Sequence, residues 1–477
     1  MWLNNWHILL PEIYLTIIIT FLLCYGLFII KWGKFNTFID LCLISLIWTG
    51  ILLYVNDIGN ISDIFTINSL NSWIKEILLI STIVVIIVSK KFYPIYKISD
   101  FEFPILLMTS LLGLFLLVSS ENLIVMYLSI ETISLSLYVL AAIKKNDNFS
   151  TEAGLKYFIL GALSSGLLLF GCSLIYYSTG LINFTSLMNL ISLGHFDNAL
   201  LIGCFFLFIS LLFKIAAAPF HMWAPDVYQG SPTVVTIYFA IVPKIGIIYL
   251  IYNLLYKPFF AMPHLQLLIL ISALLSIFIG TFGAIYQNRI IRLIAFSAIS
   301  HIGFILLGLS TGTFISVYSS LIYIIVYIIM SINTFTFILS TNKTYFADLL
   351  SYAKVNSVLA VTFSFSLLSL AGIPPLAGFF SKFYILYSLI DNQYIISAII
   401  AIILSVISAY FYIRIIQWMF FNESSLFNFF YLLSSPSPLD QVQSIVLGST
   451  TYFILTFLLF PKPVLLLTFD FFISSII

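Results

Sequence analysis

Apolar runs of about 20 residues, the length that a helix needs to cross a bilayer, follow one another along almost the whole chain. Hydrophobic residues make up 62% of the sequence and charged residues only 8%. An average soluble chain carries roughly 25% charged residues. Because only a lipid environment tolerates such a surface, the sequence predicts an all-α polytopic membrane protein. Its 477 residues leave no length for a separate soluble catalytic domain.

Polar residues, glycine and proline divide these runs into about fourteen predicted transmembrane spans. The first seven lie at 9–30, 38–56, 73–90, 102–119, 121–142, 153–178 and 197–220. The others lie at 232–256, 265–286, 290–310, 312–340, 355–390 (broken), 393–420 and 444–470. Residues 421–443 match no pattern, so their course stays open.

The distribution of loop charges predicts the orientation, because loops on the cytoplasmic or matrix side collect Lys and Arg. The odd-numbered connections contain Lys31, Lys34, Lys90, Lys91, Lys97, Lys144, Lys145, Arg289, Arg292, Lys343 and Lys354. The even-numbered connections contain only Lys75 and Lys257, near their edges. With an even number of spans, both termini are expected on the outer side, facing the periplasm or intermembrane space.

Proline interrupts two of the predicted spans. The seventh contains the run Lys214-Ile-Ala-Ala-Ala-Pro-Phe-His221, and the twelfth contains Leu370-Ala-Gly-Ile-Pro-Pro-Leu-Ala-Gly378. Proline removes a backbone donor and clashes with the preceding turn. Unwound backbone at membrane depth persists only where it lines a cavity or is buried in protein. We therefore expect spans seven and twelve to be broken helices.

The spacing of the two breaks predicts an internal repeat. The breaks lie five spans apart, and an odd offset flips the second unit across the membrane, as in transporters with inverted repeats. The predicted organisation is a three-helix segment at 1–100, a first repeat (helices 4–8) at 101–256, a second inverted repeat (helices 9–13) at 257–420, and a connecting segment with a C-terminal helix at 421–477. The alternative is two unrelated proline kinks.

Ionisable residues inside the spans are the candidate functional residues, because each costs at least ~2.5 kcal/mol at the centre of a helix. These residues are Glu131, Lys214, Lys244, Lys382, Lys156 and His301. Glu131 is the clearest, since it lies about 14 Å into the fifth span at 1.5 Å per residue. For Lys156 and Lys382 the alternative is a stem that snorkels to the interface. For His301 it is a neutral, hydrogen-bonded core residue.

One glutamate with several lysines indicates proton transfer. Burial favours the neutral form of a lysine and a nearby carboxylate favours the charged form. Pairing Glu131 with Lys214, and breaking that pair, would therefore load and unload a proton along a row of charged residues at mid-membrane depth.

Other kinds of site are not indicated. The ionisable residues do not supply convergent metal ligands, and the four cysteines lack metal or redox spacing. A net charge of +1 gives no basic patch for nucleic acid. No P-loop, Rossmann glycine pattern or haem motif is present, so the energy for transport must come from a partner chain or an opposing ion gradient.

Several sequence runs resemble a known family. The most specific are Ser150-Thr-Glu-Ala-Gly-Leu-Lys-Tyr-Phe158 and Trp223-Ala-Pro-Asp-Val-Tyr-Gln-Gly230, with further similarity in Ala240–Lys244, Ser297–Phe304 and Leu370–Tyr384. They are similar to chain 2 of the proton-pumping NADH:quinone oxidoreductase, respiratory complex I, among its antiporter-like membrane subunits. The resemblance covers about residues 100–420.

The resemblance implies a fourteen-helix fold with two inverted five-helix units, beside related antiporter-like chains in the membrane arm. It implies that Glu131 and Lys214 form the coupled pair, that Lys244 is the central relay and that Lys382 lies near the outlet. Lys156 and His301 would lie on or beside the path. NADH, FMN, iron-sulfur clusters and quinone are expected in partner subunits, with no cofactor in this chain.

The expected function is therefore proton translocation as a non-redox subunit of complex I, surrounded by other membrane-arm subunits and lipid. A cation/proton antiporter subunit without redox coupling is the first alternative, and a structural spacer with relict charges is the second. The abundance of Phe and Tyr and the absence of a removable leader favour the inner mitochondrial membrane over a bacterial plasma membrane.

Overall fold

The computed structural model describes residues 6–29, 35–55, 58–61, 64–95, 101–194, 197–341, 343–421 and 440–473. Within these ranges, eleven helices are long and apolar enough to cross a membrane. The predicted all-α polytopic fold is confirmed. Most of the open stretch 421–443 lies outside the described residues, as do Lys31, Lys34 and Lys97.

The N-terminal part contains three long helices and a short hairpin. A 3-10 turn at Trp6–Leu9 precedes them. The elements are α1 (Leu10–Ile29), α2 (Phe35–Val55), the antiparallel strands β1 (Gly59–Ile61) and β2 (Phe65–Ile67), α3 (Ser69–Ser89) and the short α4 (Phe92–Ile95). The hairpin was not predicted, because strands this short show no alternating pattern.

The helices that follow comprise long spans and a few short connecting helices. They are α5 (Glu102–Ser119), α6 (Leu123–Ala141), α7 (Asn148–Thr179), α8 (Phe184–Ser192), α9 (Asn198–Lys214), α10 (Trp223–Gly230) and α11 (Thr233–Tyr256). Then come α12 (Pro263–Ile285), α13 (Ile290–Ser310), α14 (Phe314–Thr341), a 3-10 turn at Phe346–Leu349 and α15 (Tyr352–Val355). The last are α16 (Ser357–Ala371), α17 (Ala377–Asp391), α18 (Ile395–Phe420), α19 (Gln441–Thr456) and α20 (Lys462–Ile473).

Both predicted breaks are confirmed. The first separates α9 from α10, and Ala216 within it has φ = 61°, a conformation that costs energy for a residue with a Cβ. The second separates α16 from α17, and Gly372 ends α16 with φ = 84°, which glycine adopts freely. Each break contains a cis X-Pro peptide bond, at Pro219 and at Pro375. In each half of the chain the broken span is the fourth of five, as the repeat prediction requires.

One predicted span needs correction. The sequence predicts a continuous helix at 444–470, whereas α19 ends at Thr456 and α20 begins only at Lys462. Pro461 and Pro463 lie at this interruption, where proline cannot continue the hydrogen-bond ladder of α19.

The chain forms two compact units. The first comprises Met1–Ala216, Gly230–Gln266 and Asp470–Ile477, and in it α7 packs along α9, α5 along α6, and α3 beside α11. The second comprises Ala217–Gln229 and Leu267–Phe469, and in it α14 packs against α13, α16, α17 and α19. The predicted domain boundaries at 100, 256 and 420 stay predictions.

The two lysines that depart from the charge rule each have a carboxylate partner in the first unit. Lys75 lies 2.5 Å from Glu12, and the two side chains are 0% and 4% exposed. Lys257 pairs with Glu121. Both lysines are therefore paired within the protein, and the predicted orientation stays a prediction.

Two glycines allow the close approach of α7 and α9. A Cβ at Gly171 would lie 2.7 Å from the carbonyl oxygen of Gly203, and a Cβ at Gly203 would lie 2.9 Å from the carbonyl oxygen of Gly171. Small residues at such crossings let helix backbones pack directly in membranes. This contact positions the end of α9, where Lys214 lies.

We expect Gly171→Val to destabilise the protein by about 1–3 kcal/mol, because the new side chain overlaps backbone that cannot move aside. The measurement is the thermal unfolding midpoint of the purified protein in detergent. Gly166→Val is the matched control on the same helix, where a Cβ would meet nothing within 4 Å. Equal shifts for both variants would contradict the close-approach interpretation.

Candidate functional site

The predicted pair of Glu131 and Lys214 lies in one site of the first unit, with Tyr138 between the two charges. The Lys214 ammonium donates to the Tyr138 hydroxyl at 3.3 Å and lies 5.7 Å from the centre of its ring. The Ser134 hydroxyl lies 3.3 Å from Glu131 Oε2 and also interacts with the Tyr138 hydroxyl. Polar groups therefore run from the carboxylate through serine and tyrosine to the lysine.

Glu131 and Lys214 interact electrostatically, but the hydrogen bond of Lys214 goes to Tyr138 rather than to Glu131. The structure refines the predicted pair, because Tyr138 bridges Glu131 and Lys214. Glu131, Ser134 and Tyr138 lie at i, i+3 and i+7 on α6, which places them on one helix face. Tyr138 was not among the predicted residues, although this spacing could have indicated it.

Tyr138 is held in place by small and aromatic residues of α7. A Cβ at Gly161 would overlap the Tyr138 hydroxyl, so glycine makes the space that this group occupies. The Tyr157 ring meets the Tyr138 ring edge to face at a centroid distance of 4.9 Å, and Phe158 does so at 5.7 Å. Edge-to-face pairs of this kind fix ring orientation.

Lys244 lies in the core of the first unit, one residue after Pro243 in α11. Its side chain is buried, and so is every residue of the apolar window of that helix. Pro243 provides no backbone donor for the carbonyl of Phe239, four residues earlier. The structure therefore places Lys244 as deeply as the sequence predicts.

Lys156 differs from the other predicted residues. Its side chain is 44% exposed and forms an ion pair with Glu152, one helical turn earlier, at 2.8 Å. The structure thus places Lys156 on the surface of α7 rather than in a buried polar site.

His301 lies buried in the second unit between two tyrosine hydroxyls. Nδ1 is 2.7 Å from the Tyr323 hydroxyl and Nε2 is 3.1 Å from the Tyr412 hydroxyl. Neutral imidazole needs one donor and one acceptor, and imidazolium needs two acceptors. Because a hydroxyl both donates and accepts, the two tyrosines satisfy His301 in either charge state.

Lys382 reaches back from α17 to the end of α16. Its ammonium donates to the carbonyl oxygens of Leu370 at 3.0 Å and Ala371 at 2.8 Å, and lies 5.3 Å from the centre of the Phe304 ring. Carbonyls in the last turn of a helix lack intrahelical donors, and the helix dipole there favours a cation. The lysine is buried, so the snorkelling alternative is wrong for Lys382.

Known proteins share both the sequence and the fold. The family described as NADH:quinone oxidoreductase/Mrp antiporter, TM, matches residues 120–408. NADH-quinone oxidoreductase subunit N of Pelagibacter ubique is 40% identical over 431 residues, covering 88% of this chain and 91% of that one. NADH-ubiquinone oxidoreductase chain 2 of Marchantia polymorpha is 37% identical over 479 residues, covering 96% of each.

Two solved structures share the fold. A chain of respiratory complex I from Thermus thermophilus superposes with a TM-score of 0.80 at 24% identity, covering 96% of this chain and 98% of that one. A chain of the Mrp complex from Dietzia superposes with a TM-score of 0.82 at 18% identity, covering 100% and 97%. At these identities the likeness shows the fold alone.

We expect Lys382→Met to lower the free energy of unfolding by about 1–3 kcal/mol, because two buried carbonyls lose their donor. Lys145→Met, at an exposed lysine in the turn before α7, is the control and should change stability by less than about 0.5 kcal/mol. Thermal unfolding in detergent measures both. If the two variants have the same thermal unfolding midpoint, Lys382 does not stabilise the break.

Proposed function

The chain belongs to the NADH:quinone oxidoreductase/Mrp antiporter family of membrane subunits, and we propose that it translocates protons as a membrane-arm subunit of respiratory complex I. The observation that carries the proposal is the polar chain from Glu131 through Ser134 and Tyr138 to the buried Lys214, in a protein similar over almost its full length to an NADH-ubiquinone oxidoreductase chain 2. In this role the chain performs no redox chemistry. NADH, FMN, the iron-sulfur clusters and quinone bind partner subunits.

Proton transfer follows from the chemistry of the bridged pair. When Glu131 is ionised and close, it stabilises a protonated Lys214, and when the bridge opens the buried lysine releases its proton. Moving one charge across 100 mV costs about 2.3 kcal/mol. A hundredfold change in the proton affinity of one group is worth about 2.7 kcal/mol, which is enough to drive that step.

The other predicted residues take roles along the same proposed path. Lys244 acts as the central relay, Lys382 lies toward the outlet, and His301 exchanges protons with its two tyrosines. Lys156 lies beside the path, since its ion pair with Glu152 holds it at the surface of α7. Redox chemistry in the partner subunits drives the cycle, and the related antiporter-like chains are the expected neighbours.

The alternative is a cation/proton antiporter subunit without redox coupling. The likeness to the Dietzia Mrp complex supports it only at the level of the fold, at 18% identity. Relatives at 37–40% identity carry complex I names and support the first function. Sodium dependence of transport at fixed pH would favour the alternative.

The chain is a multi-pass membrane protein, and we assign it to the inner mitochondrial membrane. The Phe- and Tyr-rich composition supports this location, and its relatives include both plant organelle and bacterial chains. The alternative location is a bacterial plasma membrane.

Glu131→Gln and Lys214→Ala test the proposed function directly. We expect both variants to assemble and both to lower NADH-coupled proton translocation by at least about tenfold, because each removes one partner of the proton-transfer pair. Assembly is checked on a native gel, and translocation is measured in energised membranes. Glu102→Gln, at an exposed carboxylate in the first turn of α5, is the control. Normal pumping by the assembled variants would refute the mechanism.

Tyr138→Phe tests the hydrogen-bonding role of Tyr138 separately from its packing, because it keeps the ring and removes only the hydroxyl. We expect coupled translocation to fall while the thermal unfolding midpoint changes little. Gly161→Ala should lower translocation as well, since its Cβ displaces that hydroxyl, whereas Gly166→Ala on the same helix should not. If Tyr138→Phe pumps normally, the tyrosine only packs and the pair is coupled without it.

A further inference from the structure

The Phe304 ring contacts two groups of the proposed path in the second unit, and the mechanism above gives it no role. Phe304 follows His301 by three residues on α13, so both side chains leave the same face of that helix. Its ring stacks on the Tyr323 ring at a centroid distance of 6.1 Å and an interplanar angle of 10°. The Tyr323 hydroxyl in turn lies 2.7 Å from His301 Nδ1. Phe304 is therefore part of the wall around the histidine.

The same ring faces the Lys382 ammonium, which lies 5.3 Å from its centre. Phe304 is 2% exposed and Lys382 is 6% exposed, so both partners of this contact are buried. Where water is excluded, the attraction between a cation and the face of an aromatic ring shifts an equilibrium by roughly 5- to 30-fold. The contact is therefore strong enough to depend on whether Lys382 is charged.

The other contacts of the Lys382 nitrogen show which of its sides the ring covers. An ammonium has three N–H groups, and two of them donate to the carbonyl oxygens of Leu370 and Ala371 at the end of α16. A Cβ at Gly372 would lie 3.1 Å from the nitrogen, so backbone closes that side. Among the described residues, the charge has one further contact, which is the Phe304 ring. The ring therefore covers the third position of the nitrogen.

This third position changes its character when Lys382 loses a proton. The neutral amine has two N–H groups and a lone pair. With both N–H groups on the carbonyls, the lone pair takes the third position and points toward Phe304. The face of an aromatic ring is negative, so it attracts the ammonium but not the lone pair. A charged Lys382 therefore holds the ring in place, and a neutral Lys382 releases it.

We propose that Phe304 is a gate between His301 and Lys382, and that the charge of Lys382 controls it. This inference rests on the proposed function. When Lys382 is neutral, the ring turns aside and water reaches the lone pair. A proton then moves through that water from the His301 imidazolium to the amine. One N–H bond breaks on the histidine, one N–H bond forms on the lysine, and no electron moves. The ring closes on the new ammonium and prevents return of the proton.

The closed gate leaves the charged lysine one side on which to lose its proton. That side is the break between α16 and α17, where two N–H groups of Lys382 point to freed carbonyls. Unwound backbone at membrane depth lines a cavity or is buried in protein. Phe304 therefore gives the last proposed step its direction, from His301 to Lys382 and then to the outlet.

The test measures two quantities in proteoliposomes that contain the assembled complex. The first is the number of protons translocated per NADH oxidised, and the second is the decay of an imposed pH gradient without NADH. We expect Phe304→Leu to lower the first by about twofold or more and to speed the second, because the cation no longer favours a closed ring. The rate of NADH oxidation should not fall, whereas a general structural defect would lower it.

Two further variants identify the origin of the leak. Phe296→Leu is the matched control, because it removes a ring from the same helix that packs over Gly283 of α12. It should change neither quantity. Adding Lys382→Met to Phe304→Leu should abolish the leak, because the carrier on the far side of the gate is then missing. Phe304→Met, which fills the space with a flexible apolar chain, replaces Phe304→Leu if that variant does not assemble.

The outcomes separate the gate from the proposed function. A leak with lost coupling in Phe304→Leu supports the gate when Lys382→Met abolishes it and Phe296→Leu lacks it. The gate is refuted if either quantity stays normal in Phe304→Leu, if the leak persists without Lys382, or if Phe296→Leu leaks equally. Glu131→Gln is measured in the same proteoliposomes. If it fails to pump while Phe304→Leu stays coupled, only the gate is wrong. If it pumps normally, the proposed function fails and the gate fails with it.

Discussion

Hydrocarbon offers no hydrogen-bond partner, so each backbone group that a helix break frees must find its partner within the protein. At the second break, Lys382 supplies that partner for the carbonyls of Leu370 and Ala371. The same lysine is a candidate proton carrier. A proton lost from Lys382 leaves its neutral amine with donors for both carbonyls but removes the cation that the helix dipole favours. Its charge state and the stability of the break are therefore linked.

Tyrosine hydroxyls recur beside the ionisable groups of both units. Tyr138 accepts from Lys214 in the first unit, and Tyr323 and Tyr412 hold both ring nitrogens of His301 in the second. A hydroxyl donates or accepts by rotation alone. A neighbouring hydroxyl can therefore form a hydrogen bond with an ionisable group both before and after that group gains a proton. No buried polar atom is left unpaired when the charge changes.

The two lysines that depart from the charge rule both form ion pairs. Lys75 and Lys257 lie on the side where lysines are otherwise rare, and each has a glutamate partner. Their burial differs, however, since one pair is enclosed while the lysine of the other reaches the surface. The first pair therefore holds helices together, whereas the second connects a buried carboxylate to the solvent.

The sequence alone predicted the spans, both breaks and the deep position of Lys244. The length of a span, the effect of proline on a helix and the cost of a charge in lipid depend only on the local sequence. The sequence alone therefore reveals them. It did not predict the β1–β2 hairpin or the division of the last span. The place of Tyr138 between Glu131 and Lys214, and the contacts of Lys382, depended on the tertiary structure. These contacts depend on which helix faces pack together and on how far a side chain reaches. At Gly161, for example, the absence of a Cβ on α7 makes space for a hydroxyl from α6.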